Sequence, residues 1–403
     1  MEFDFNTYVK KLVKKEEINE YSKELDSIKE KFYRGLNELC WYDMNKYVDN
    51  KELKKMMNLA SELRRISDVI LIIGIGGSSM GAQALLQAMS PYFKKSRPEI
   101  IFVGTDLSSE YLIDLQHYLK EKDVSINVIS KSGNTMEVLT VFELFQSWMY
   151  KKYSDEEVRR RIVVTTSSYD GKLAYYATKH EYHKFHIPNV ISGRYSILTP
   201  ATLFPMALAG LDIISFLKGA KEGRMYLNQA GIYAMLRRIF FDQGKVIEGF
   251  AIYEPKLSKF VEWTKQVFAE SEGKDHKGIL PIKLIYTRDL HSLGQFIQEG
   301  NPIVFETVIS IDRTRTFKVD KYQETLSNIN HTVEKSVCQA HLDGGCPTLI
   351  IKIGGLDEHS FGELAMFFMM SAAMSSYLFH VNPFDQPGVT KYKEIVGQSL
   401  RNL

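Results

Sequence analysis

The chain has 403 residues, 44% hydrophobic and 25% charged, with 51 basic against 49 acidic side chains and a net charge of +2. That size allows two domains with sizeable cores, and the near balance of charge argues against a nucleic acid or an anionic membrane as partner. Three cysteines, Cys40, Cys338 and Cys346, are too few and odd in number for a disulfide framework and fit a reducing cytosol.

The first five residues are acidic and a lysine-rich segment without an apolar stretch follows, which does not read as a signal peptide; a cytoplasmic, soluble protein is expected. Residues 16–47 are charge-rich, with Leu25, Ile28, Phe32, Leu36 and Leu39 at steps of three and four, which predicts an amphipathic helix. A second helix is predicted over 51–67. The fully apolar run Val69-Ile70-Leu71-Ile72-Ile73 before a glycine-rich turn reads as a central parallel strand. Further strands are predicted at 100–103, 126–129 and 162–165, each a helix-length segment apart, which implies right-handed crossovers and a doubly wound sheet.

Proline and glycine break the pattern between Pro188 and Arg194. A second set then begins: strands over 246–253, 282–286, 303–309 and 348–353, with helices near 222–241, 257–269 and 290–298. The uncharged run 364–379 is shorter than the roughly 20 residues a bilayer needs, so it is expected as a buried core or subunit-interface helix. The fold class is therefore α/β: two tandem doubly wound domains with mainly parallel sheets, plus N-terminal helices and a C-terminal helical segment. The expected division is 1–47 (helices on the second domain), 48–190 and 191–403. With no low-complexity linker between the halves, a site between them is expected.

Two turns carry chemistry. Ser130-Lys131-Ser132-Gly133-Asn134-Thr135 joins the β-branched strand 124–129 to a largely uncharged helix over 136–150. Such a turn points N–H groups and a positive dipole end outward, and here it adds three hydroxyls and a lysine. A plain capping turn needs one hydroxyl; this one offers a phosphate cradle. The other turn, Gly74-Ile75-Gly76-Gly77-Ser78-Ser79-Met80-Gly81, fails the dinucleotide fingerprint at Ser79 and the P-loop at Ala82. Either it is a tight turn that needs small residues for packing, or Gly77 and Ser78 bring backbone and hydroxyl toward a ligand held at 130–135.

Five blocks in order resemble motifs of the glucose-6-phosphate isomerase family: Gly74 to Ser78, Ser130 to Thr135, Ser192-Gly193-Arg194-Tyr195-Ser196, Glu270-Ser271-Glu272-Gly273-Lys274 and Phe384-Asp385-Gln386-Pro387-Gly388-Val389. The resemblance implies two sugar-isomerase (SIS) domains and the interconversion of glucose 6-phosphate and fructose 6-phosphate, without metal or organic cofactor, in a homodimer with shared active sites. It implies that Ser130, Lys131, Ser132, Thr135 and Ser78 bind the phosphate, with Gly77 beside them. Arg194 would sit at the reacting carbons, Glu270 would be the base, and Gln266 and Gln386 would bind substrate. His291 and Lys393 would open the ring, with Glu137 orienting the histidine. Glu272 stands where the family often has Asn, and Ser192 where Gly is common; close to Glu270, Glu272 would raise the base's pKa.

The chemistry needs such residues. Moving a proton between C2 and C1 through an enediolate takes one base that accepts and returns it, and a carboxylate in a dry site serves. The enediolate oxygen needs a fixed cation, which an arginine supplies. Taken singly, a glutamate, histidine or arginine is most often a surface or structural residue; the order of the blocks favours the catalytic reading. Two metal-like groupings are set aside. His180/His183/His186 has a helical ligand spacing, but Pro188 follows and 185–187 looks extended, which points the three to different faces. Cys338/His341/Cys346 has no second pair at C-x-x-C spacing, so no metal is expected. The rival to an isomerase is a non-catalytic SIS-type sugar-phosphate sensor, which would need neither base nor ring-opening pair. Acceptance of mannose 6-phosphate stays open.

Overall fold

Apolar strands at helix-length intervals become two five-stranded sheets in the computed structural model, which describes residues 1–9, 12–43, 48–93, 97–167 and 170–401. In chain order the strands are β1 Glu2–Asp4, β2 Val69–Ile73, β3 Glu99–Val103, β4 Val124–Ile129, β5 Ile162–Thr166, β6 His183–His186, β7 Ile247–Ile252, β8 Leu280–Ile285, β9 Val304–Arg313, β10 Lys318–Val319, β11 Glu324–Thr325 and β12 Thr348–Gly355. The first sheet runs β3-β2-β4-β5-β6, parallel throughout, with Leu71 opposite both Ile101 and Ile126. Strands β2, β4 and β5 are buried along their whole length, because helices cover both faces and no position is left for a solvent-facing alternation.

The second sheet runs β1-β12-β9-β7-β8. Its four long strands are parallel and repeat the order of the first sheet: the first and third strands of each half lie side by side at the centre. The fifth member, β1, is antiparallel and comes from the chain's N-terminus, with Phe3 opposite Ile351. Three residues are too few to carry a period, so the sequence reading finds no strand there.

The helix expected over 16–47 spans only Lys15–Arg34. Gly35 stops it in the left-handed conformation (φ 65°), the usual glycine C-cap. A 3₁₀ segment, Asn37–Tyr42, then buries Leu39 and Trp41, and the rest of the expected helix, 44–47, lies outside the described residues. This N-terminal segment attaches to the second half. The amino group of Met1 donates to Tyr226 (2.6 Å), and Leu25 packs at Gly231 of the helix Leu227–Asp242.

The run over 364–379 belongs to the helix Glu358–Leu378, buried on all sides. It packs on the helices Ile213–Gly223, Leu227–Asp242 and Ser258–Glu272 as the centre of the main core. Helices Pro200–Ala209, Ile213–Gly223 and Leu326–Asp343 were not expected from the sequence. Among the described residues no helix is long and apolar enough to cross a membrane.

Candidate active site

In an open parallel sheet the ligand crevice opens at the C-terminal ends of the strands, where the order reverses. In the first sheet that place lies between β2 and β4, and the turns that leave these strands are 74–79 and 130–135. The second turn is held rigidly from below. The Ser130 N–H donates to the Thr165 carbonyl (3.1 Å), the Lys131 carbonyl accepts from Ser167 Oγ (2.6 Å), and the Lys172 N–H donates to Asn134 Oδ1 (3.0 Å). Ser130 Oγ and Thr135 Oγ1 bond each other at 2.8 Å. Thr135 is the N-cap of the helix Met136–Lys152, yet its hydroxyl makes no bond to the first-turn N–H groups, which leaves them for an anion. Ser132 Oγ accepts from the Asn134 N–H at 3.2 Å.

Lys131 is half-buried, and its ammonium has no hydrogen-bond acceptor or carboxylate among the described residues. Burial lowers its pKa from the usual lysine value, and the neighbouring Arg194 charge pushes the same way against an opposing contribution from Cys40. A desolvated cation beside a second cation, on a turn rich in hydroxyls and N–H groups, is arranged to receive a dianion.

The turn after β2 meets a segment from the far side of the 188–194 break. The 3₁₀ segment Gly193–Leu198 lies against Gly77, whose missing side chain makes the approach possible. Ser196 Oγ donates to the carbonyls of Gly193 (2.6 Å) and Gly77 (3.1 Å), tying the two turns. Ser78 is half-buried on the same 3₁₀ turn, Gly76–Ser78.

From that contact Arg194 reaches into the second half, with its side chain fully buried. Nε donates to Ser271 Oγ (2.9 Å), Nη1 to Glu270 Oε2 and Gln386 Oε1 (3.3 Å each), and Nη2 to the carbonyls of Pro383 (2.7 Å) and Asp385 (2.6 Å). Five acceptors for five N–H groups is the full capacity of a guanidinium. Lys274 seconds it, pairing with Asp385 at 3.0 Å and donating to the Ser271 carbonyl at 2.9 Å. Together these cations pin the 382–386 segment against the end of the helix Ser258–Glu272.

Glu270 stands in the last turn of that helix, 34% exposed. Its Oε2 faces Arg194 and its Oε1 accepts from Gln266 Nε2 (3.0 Å) one turn earlier on the same face. Gln266 Oε1 is buried without a partner among the described residues, an acceptor poised for a hydroxyl. Both residues line a cavity of about 680 Å³ with Ile75, Gly76, Ser79 and Gln83. One carboxylate thus stands between a fixed cation and a fixed amide on a cavity wall. The 130–135 turn is not part of that lining, and its link to the cluster is Lys131, which feels the charge of Arg194.

Three expected residues are not brought there by this chain. His291 is exposed on the 3₁₀ segment Arg288–His291, Lys393 is exposed on the helix Thr390–Leu400, and Glu137 is half-buried in the first turn of Met136–Lys152. None of the three bonds Glu270 or another of the three among the described residues. Glu272, expected to affect Glu270 if close, turns the other way into the core, where it meets Arg237. Ser271, Tyr195 and Lys274 hold Arg194 or its segment, and the sequence reading assigned them no part. Tyr195 Oη bonds Ser271 Oγ at 3.0 Å. Their place inside two of the five motif blocks was the available signal. No group of three or more His, Cys, Asp or Glu side chains among the described residues could hold a metal ion.

The family profile described as phosphoglucose isomerase matches residues 59–328. A glucose-6-phosphate isomerase of Bacillus thuringiensis (strain Al Hakam) is 40% identical over 394 residues, covering 91% of this chain and 88% of that protein. A hypothetical protein of Thermus thermophilus has a similar solved structure, with TM-score 0.87, 23% identity and 96% of each chain covered. A glucose-6-phosphate isomerase of Chlamydia trachomatis superposes with TM-score 0.73 at 22% identity, over 87% of this chain and 73% of that one. At these identities the two solved structures speak for the fold.

Proposed function

We propose that this chain, which belongs to the phosphoglucose isomerase family, interconverts glucose 6-phosphate and fructose 6-phosphate with Glu270 as the base. The observation that carries the assignment is the grip on Glu270. Arg194 takes one oxygen and Gln266 the other, and the carboxylate still faces the cavity. A base so held can take the proton from C2 and return it to C1 without reorganising. The Arg194 charge stands where negative charge grows on the enediolate oxygen, a stabilisation that a preorganised cation supplies best in a water-poor site. The Gln266 carbonyl oxygen accepts from a sugar hydroxyl.

The phosphate is held by Ser130, Lys131, Ser132 and Thr135 with the helix N-terminus behind them, and Ser78 adds a hydroxyl. Binding at this remote end orients C1 and C2 and lends its energy to the reacting end. Gln386, carried on the segment that Arg194 and Lys274 pin down, closes the site from the C-terminal side.

Ring opening is assigned to His291 and Lys393. Both are exposed and neither bonds Glu270 among the described residues, which supports a homodimer in which one protomer's His291 completes its partner's site, with Glu137 orienting it there. A cytoplasmic setting fits a chain whose three cysteines are all buried thiols.

The test is direct: the protein is mixed with fructose 6-phosphate and glucose 6-phosphate is followed with a coupled dehydrogenase. Turnover is expected. A folded sample that binds inorganic phosphate but does not turn over would leave a sugar-phosphate sensor instead.

A further inference from the structure

Three consecutive residues end the catalytic helix, and each is taken by a different part of the molecule. Glu270 faces the cavity, Ser271 accepts from Arg194, and Glu272 enters the core. Successive helix positions are about 100° apart, so fixing one of the three fixes the direction of the other two. What holds Glu272 therefore also sets where Glu270 points.

Arg237 holds it. From the helix Leu227–Asp242 its Nη1 and Nη2 donate to both oxygens of Glu272 (2.8 and 2.7 Å), and its Nε donates to Glu248 on β7 (2.8 Å). Both ion pairs are fully buried. Ser375, from the helix Glu358–Leu378, donates to Glu272 Oε2 at 2.7 Å. Glu248 is satisfied in turn by Tyr233 Oη (2.5 Å) and Thr307 Oγ1 (2.7 Å), so the cluster joins three helices and two central strands. Packing alone would favour apolar residues here, because burying ion pairs costs about as much as it returns. What a bidentate fork adds is direction.

We propose that Arg237 and Glu272 are positioning residues for the isomerisation: their buried fork fixes the last turn of the catalytic helix, and with it Glu270 and the Ser271 hydroxyl that holds Arg194. The inference rests on Glu270 being the base, which Glu270→Gln tests separately. It also gives a physical place to Glu272, which departs from the residue the sequence resemblance led us to expect.

The test compares Glu272→Gln, Arg237→Lys, their double variant and Ser375→Ala. Gln turns an NH₂ against the guanidinium, Lys cannot fork, and Ala removes one hydroxyl. Glu272→Gln and Arg237→Lys should each lower kcat about 10–100-fold, the scale of a misplacement near 1 Å. The double variant should lose no more than either single one, because all act through the same helix end. KM for fructose 6-phosphate and inhibition by inorganic phosphate should stay within about twofold, since the phosphate turn belongs to the other half. Ser375→Ala should lose several-fold in kcat. A folded Glu272→Gln or Ser375→Ala protein with parental kcat and only a lower Tm would overturn the proposal. If Glu272→Gln does not fold, Ser375→Ala decides alone.

Discussion

A β-carbon on Gly77 would stand 2.1 Å from the carbonyl oxygen of Gly193. That is closer than atoms can approach, and both partners are backbone, so neither can swing aside. At this contact the turn after β2 abuts the segment that carries Arg194. Gly77→Ala should push the two apart, draw Arg194 away from Glu270 and lower kcat/KM by about 10²-fold or more, the scale of a misplacement near 1 Å. Circular dichroism should be unchanged apart from a lower Tm. Full activity in this variant would mean that the two loops move without carrying the site with them.

Glu270→Gln keeps the shape of the side chain and one acceptor for Arg194, while its NH₂ can donate to Gln266 Oε1 once that amide turns over, but it removes the base. Turnover should fall by about 10²–10⁴-fold, the span general-base catalysis contributes. Inhibition by inorganic phosphate should stay the same, because the 130–135 turn is untouched. Measuring kcat beside the phosphate inhibition constant checks both halves of this statement, and retained turnover would place the base elsewhere.

Arg194→Lys keeps a charge and loses the fork. One ammonium cannot reach Ser271, Glu270, Gln386 and the carbonyls of Pro383 and Asp385 together. Each buried acceptor left unpaired costs about 1–3 kcal/mol. Loss of turnover, a Tm lower by several degrees and faster proteolysis in 382–401 are expected together. Lost turnover with an unchanged Tm and digestion pattern would confine Arg194 to the chemistry and deny it the C-terminal segment.

What could be read from the sequence was local or periodic. The sheets were visible because buried parallel strands are continuous apolar runs, and the phosphate-type turn because hydroxyls, lysine and glycine crowd into six residues. The helix over 16–47 was overdrawn because Gly35, a stop signal by itself, sits among apolar residues that continue the helical spacing into a 3₁₀ segment. Strand β1 was invisible at three residues. The acceptors of Arg194 lie up to 192 residues away and are partly carbonyls, which carry no sequence identity at all. The direction of Glu272 depends on Arg237, 35 positions earlier on another helix, and no spacing rule links the two.

Lys131 gives the binding step a pH dependence of definite sign. Burial, with Arg194 beside it, lowers its pKa below that of the unfolded chain. The unfolded state then holds the proton more tightly, so this group's contribution to stability is least favourable below the folded pKa and improves as pH rises through it toward the unfolded value. Phosphate binding runs the other way, since the dianion wants the ammonium charged. Once inorganic phosphate is fully dianionic, its inhibition should weaken with rising pH, beginning below the pH at which a free lysine (about 10.4) discharges. Lys131→Arg, which stays charged, should flatten that alkaline limb. A limb equally steep in the arginine variant would assign it to another group.

The proposed sharing of His291 between subunits predicts a definite result for mixed dimers. Glu270→Gln and His291→Ala should each be nearly inactive alone. Suppose the two proteins are unfolded together, refolded and allowed to assort at random into dimers. If His291 serves its partner, a hybrid dimer holds one site with Glu270 from one chain and His291 from the other, and one site with neither. Half the dimers are hybrids and half of each hybrid's sites are intact, so about a quarter of the parental activity should return. If His291 served its own chain, every site in every dimer would lack one of the two residues, and mixing would restore nothing. Sedimentation of the mixture establishes that dimers have formed, so a zero return counts against the shared site and not against refolding.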